Sequence, residues 1–134
     1  MVIDALNGEI VNSKEIYIHD DILEELSFNR FEKKLHLSIL EFKTREKYSI
    51  DFLQVIGFEM TSCDFWGFSS RILDFEYTER DNNSIIPKLF EIKNSNGYTS
   101  CNLKDKETYF ETVITFVSGD QLKIACEIIA FKEA

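Results

Sequence analysis

Apolar and polar residues alternate with a period of two over the C-terminal part of the chain. From Tyr109 to Val117 the even positions Phe110, Ile114 and Phe116 are apolar, with Thr112 between them. Beyond Ser118-Gly119-Asp120 the even positions Leu122, Ile124, Cys126 and Ile128 are apolar again, while Lys123 and Glu127 alternate with them. Such alternation marks half-buried strands. Residues 109–131 are therefore expected to form an antiparallel hairpin with Leu122, Ile124, Cys126 and Ile128 facing inward. A loop at 118–120 pairs Phe116 with Leu122, Ile114 with Ile124, and Phe110 with Ile128. A slip of a single residue sets Thr115 and Glu111 opposite the apolar row instead, so the pattern selects the register.

The same alternation predicts a second hairpin between Asp21 and Lys43. Ile22, Leu26 and Phe28 share one face of its first strand, and Leu35, Leu37 and Ile39 line one face of its second. Asn29-Arg30-Phe31-Glu32-Lys33-Lys34 supplies the turn; a helical turn over Asp21–Leu26, capped by Asp20, is the competing local structure. Lys47–Phe52 reads as a third main strand, with Tyr48, Ile50 and Phe52 alternating with Ser49 and Asp51, and Val55–Met60 continues it past a kink. Arg71–Thr78 places Leu73, Phe75 and Tyr77 opposite Asp74 and Glu76. Ser84–Lys93 suits one short helix with Ser84 as N-cap and Pro87 in the first turn, and Asn94–Lys106 reads as a loop. About six to eight strands follow, most simply a mainly β antiparallel sandwich or partly open barrel.

Composition narrows the picture. A chain of 134 residues fits a single domain spanning 1–134, and 12 Phe with 5 Tyr favour strands around a core of rigid rings. The net charge of −9 argues against a nucleic-acid partner, whose phosphates demand clustered Lys and Arg, and favours a basic protein partner. No basic leader or apolar run of about 20 residues is visible, so no membrane partner is expected. Cys63, Cys101 and Cys126 are odd in number and widely spaced, which fits reduced thiols in a cytoplasm better than a disulfide framework or zinc site. The oligomeric state leaves no mark on the pattern.

Two stretches invite chemistry. In His19-Asp20-Asp21 an imidazole adjoins two acids, as a metal-dependent hydrolase would use, but a strand end followed by a polar turn explains them more simply. The segment Thr61–Ser70 contains the sole tryptophan. Asp64, Phe65, Trp66 and Phe68 are its candidate binding residues, with Trp66 as anchor, because Trp is enriched at binding hot spots; an aromatic corner packed on the core is the alternative. Cys63 has no histidine near it in sequence to activate it as a nucleophile. No phosphate loop, nucleophile elbow or zinc-protease motif is present, so no catalytic residue, metal or cofactor is expected.

Ile18-His19-Asp20-Asp21, Val55-Ile56-Gly57-Phe58-Glu59-Met60, Ser62-Cys63-Asp64-Phe65-Trp66-Gly67 and Ser118–Glu127 together resemble an uncharacterised family of small proteins from Gram-positive bacteria. The resemblance covers about residues 18–131. Some members are encoded near secreted polymorphic toxins, which implies an immunity role, and the family supplies no catalytic residues. The expectation is a non-enzymatic cytoplasmic binding protein that neutralises a basic toxin domain. A small-ligand binding β-barrel, its aromatics lining a cavity, is the principal alternative.

Overall fold

The computed structural model describes residues 2–4, 18–61, 71–78, 84–96 and 103–133. Among them are nine strands: β1 (Val2–Asp4), β2 (Ile22–Asn29), β3 (Lys34–Leu40), β4 (Lys47–Leu53), β5 (Gly57–Met60), β6 (Ile72–Thr78), β7 (Phe110–Phe116), β8 (Gln121–Cys126) and β9 (Ile128–Glu133). One α-helix, α1 (Ile85–Asn96), and a short 3-10 turn (Lys106–Thr108) lie between β6 and β7. The strands form two antiparallel sheets, ordered β1-β9-β4-β3-β2 and β5-β8-β7-β6. This is the mainly β sandwich that the alternating pattern predicts, and it does not close into a barrel.

Both sheets contribute to one core. Leu35, Leu37, Ile39, Ile50, Phe52 and Ile129 from the first sheet pack with Ile72, Ile114, Phe116, Leu122 and Ile124 from the second. The large rings Phe52 and Phe116 are fully buried in it. At one corner two strands change sheets together: β4 leads into β5 and β8 into β9. The Glu127 N–H donates to the Leu53 carbonyl (3.2 Å) and the Ile56 N–H to the Ala125 carbonyl (2.9 Å) across that corner. Elsewhere Ile22 forms an isolated bridge with Arg71, tying the edge of β2 to the start of β6.

The C-terminal hairpin forms with Leu122, Ile124 and Cys126 inward, but its register differs from expectation. Ile114 pairs with Leu122, Thr112 with Ile124, and Phe110 with Cys126. The loop is Val117-Ser118-Gly119, because the Phe116 carbonyl accepts from the Gly119 N–H and the Phe116 N–H donates to the Asp120 carbonyl. Gly119 has φ +91°, the left-handed position that closes such a loop. An offset of two residues preserves the inward face while changing every partner. The hairpin also stops at Glu127: beyond the sheet change Ile129, not Ile128, enters the core.

Bulges account for the other departures. Pairing shifts between Leu23 and Glu25, so Leu23, rather than Ile22, shares the inward row with Leu26 and Phe28. A shift between Ile72 and Asp74 leaves Leu73 exposed, while Phe75 stays against the core. Val55–Met60 does not extend β4; Gln54 adopts φ +54° and the chain crosses to the other sheet as β5. The helix runs on to Asn96. Its Ile85 and Leu89 cover the outer face of the second sheet where Gly57 leaves room: a Cβ there would lie 3.1 Å from Ile85 and 3.0 Å from Leu89.

Candidate functional site

Asp64, Phe65, Trp66 and Phe68, the binding residues expected from sequence, lie outside the described residues, as do Cys63 and Cys101. That segment joins the described chain at Thr61 and Arg71. Cys126 is fully buried, and burial pushes its thiol well above the ordinary range, so it remains protonated and unreactive.

His19 and Asp20 lie beside each other, with His19 Nε2 3.6 Å from Asp20 Oδ2, while Asp21 takes partners of its own. His19 Nδ1 is 2.7 Å from the Leu73 carbonyl. Asp20 occupies the left-handed region (φ +72°), tolerable for Asp, and accepts from the Arg71 guanidinium at 2.7 Å. Asp21 turns inward and is buried; it accepts from the Tyr48 hydroxyl (2.6 Å) and the Phe42 N–H (3.1 Å). Burial raises the Asp21 carboxyl above its usual range, and the bonds from Tyr48 and Phe42 only partly oppose it. Burial and the neighbouring Asp21 also raise the Tyr48 phenol. A turn does form at His19–Asp20, but the side chains bind Arg71, Tyr48 and the distant Phe42 N–H rather than the turn's own amides. Above it, the guanidinium carbons of Arg71 and Arg45 lie 5.0 and 5.8 Å from the centroid of the partly exposed Phe42 ring.

Two features escape a reading of the sequence. The first is the β2–β3 tip. The Asn29 side chain accepts from the N–H groups of Phe31 (3.0 Å) and Glu32 (3.1 Å), fixing the turn, and Lys33 closes it at φ +53°. Phe31 stands at the apex with 97% of its surface exposed. Behind it the exposed rings of Phe28 and Phe58 meet edge to face, with centroids 4.9 Å apart. One aromatic in a polar turn carries no periodic signal, so the sequence marks Phe31 only as part of that turn.

The second is Asp51. Alternation along β4 puts it on the outer face, as expected, yet it is nearly fully buried. His36, opposite it in the β3–β4 register, places Nδ1 2.5 Å from Asp51 Oδ1. Lys34 and Lys132 bring Nζ within 3.7 and 3.3 Å of Oδ2. Burial disfavours the Asp51 charge, but the bonds from His36 and Lys132 and the charge of Lys34 outweigh it and hold the carboxyl below its usual range. On β6, by contrast, the exposed Asp74 and Glu76 have no described cationic partner. The hydrogen bond and charge of Asp74 raise the Glu76 carboxyl.

No family model matches the chain, and no curated protein matches it. Among solved structures, it is similar to an uncharacterized protein from Neisseria gonorrhoeae, at 18% identity and a TM-score of 0.49, over 89% of this chain and 95% of that one.

Proposed function

We propose that the protein is a non-enzymatic binding module for a basic protein, with Phe31 as an apolar anchor. The observation that carries this reading is the 97% exposure of Phe31 on a turn fixed by Asn29. The fixed turn presents the exposed ring for insertion into a partner's pocket, and aromatic side chains are enriched at the cores of protein interfaces. Phe28 and Phe58 extend the apolar surface behind it. Attraction over longer range comes from the net charge of −9, to which the exposed Asp74 and Glu76 on β6 contribute. A basic toxin domain, neutralised by this protein as an immunity protein, is the partner suggested by the family resemblance. Trp66 and its neighbours stay a second candidate anchor.

The interior supports binding at the surface over uptake of a small ligand: side chains of both sheets meet in one packed cluster. Phe31→Ala tests the reading. The variant is expected to keep the wild-type thermal midpoint and to lose retention of the natural partner in affinity capture. Undiminished retention of a basic protein by the variant would reject Phe31 as the anchor. A co-purified small molecule, with no protein retained, would favour the ligand-binding alternative.

A further inference from the structure

Lys34, His36 and Lys132 gather over Asp51 on the face of the five-stranded sheet turned away from the core. The Asp51 side chain is 3% exposed, whereas those of Lys34, His36 and Lys132 are 33, 36 and 63% exposed. The carboxylate is thus a floor and the cationic groups its rim. Asp51 is the carboxylate within ion-pairing distance of both lysines, so cationic groups outnumber carboxylates within the cluster itself, in a chain of net charge −9. Each ammonium has three donors. Asp51 Oδ2 engages at most one from each lysine and leaves the others available to a ligand. Ser27 lies opposite His36 in the register, and the next row holds Glu25, Ser38, Ser49 and Lys132, so small hydroxyls and the exposed Glu25 flank the rim.

We infer that this cluster is a binding site for a compact oxyanion, a phosphoryl group or a carboxylate. Asp51 draws the cationic side chains together before the ligand arrives, which lowers the cost of ordering them. The ligand's oxygens accept the remaining ammonium N–H bonds, while His36, anchored through Nδ1, lies at the rim of the site. The inference does not depend on Phe31 or on a basic protein partner.

The test is an NMR titration of the His36 Cε1–H signal with inorganic phosphate and, separately, acetate, at ionic strength held constant with chloride. A saturable shift is expected in the wild type and at least about tenfold weaker binding in Lys34→Met/Lys132→Met. Should that double variant fail to fold, Lys132→Met alone, at the most exposed of the three positions, serves in its place and is expected to bind measurably more weakly. Tighter phosphate binding identifies a phosphoryl ligand, and tighter acetate binding a carboxylate. No saturable shift with either anion, or an unchanged affinity in the folded lysine variant, would overturn the inference.

Discussion

Thr112 sits on the inward face of β7, fully buried, and its hydroxyl has no hydrogen-bond partner among the described residues. A buried polar group left unpaired is unfavourable, and replacing it by an apolar group of similar shape removes that penalty. Thr112→Val is expected to raise stability by about 1 kcal/mol, measured by urea unfolding. The two buried acids should respond to pH in opposite senses. Asp51, with its carboxyl lowered, contributes stability that is present above the unfolded carboxyl range near about pH 4 and is lost as pH falls through its folded value. Asp21, with its carboxyl raised, contributes stability present below that range and lost as pH rises through its folded value. In unfolding experiments from acid to neutral pH, Asp21→Asn should remove the loss on the rising side. Asp51→Asn should remove the loss on the acid side. Alternation alone marks Asp51 as an outer-face residue. Its burial depends on Lys34, His36 and Lys132 arriving from two other strands, which requires the β3–β4 and β4–β9 registers.

Helix α1 illustrates how far an element can depend on a distant residue. The sequence marks Ser84 as the N-cap, but the Ser84 side chain itself donates to Glu111, at 3.3 Å. Glu111, buried on β7, accepts from the N–H groups of Ser84 (3.0 Å), Ile85 (2.9 Å) and Ile86 (3.1 Å). The carboxylate satisfies donors that the first helical turn cannot and lies at the positive end of the helix dipole. Glu111→Ala is expected to cost about 1–3 kcal/mol and to loosen α1 before the strands, visible as faster amide exchange in its first turn. Local patterns reveal that a helix starts here, because Ser and Pro act through neighbouring residues. They miss a cap supplied from 27 residues away. The same distinction explains the C-terminal hairpin: alternation identifies its inward face, while its register depends on Gly119 occupying the left-handed position. The bulges at Leu23/Glu25 and Ile72/Asp74 interrupt an alternation that otherwise continues through Ile22 and Leu73.

At the scale of the molecule, the two sheets use their inward faces on each other, and α1 covers part of the outer face of the second. The surface groups that remain divide by role. Under the proposed binding role, charges such as Asp74 and Glu76 would act over distance and mainly speed encounter, with an effect that salt screens. In the same proposal the aromatic tip at Phe31 would act only in contact and govern how long a complex lasts. Composition makes the first role legible, since 24 acids face 15 lysines and arginines. The second requires knowing which of the 12 phenylalanines the fold leaves outside. The most direct measurement is the pair of rate constants for the captured basic partner, compared between wild type, Phe31→Ala and Asp74→Asn/Glu76→Gln over a range of salt. Phe31→Ala is expected to raise the dissociation rate at least about tenfold with little change in association. The charge variant is expected to slow association and flatten its salt dependence while leaving dissociation nearly unchanged. Equal dissociation rates for Phe31→Ala and wild type, with both proteins folded, would contradict a binding role built on this tip.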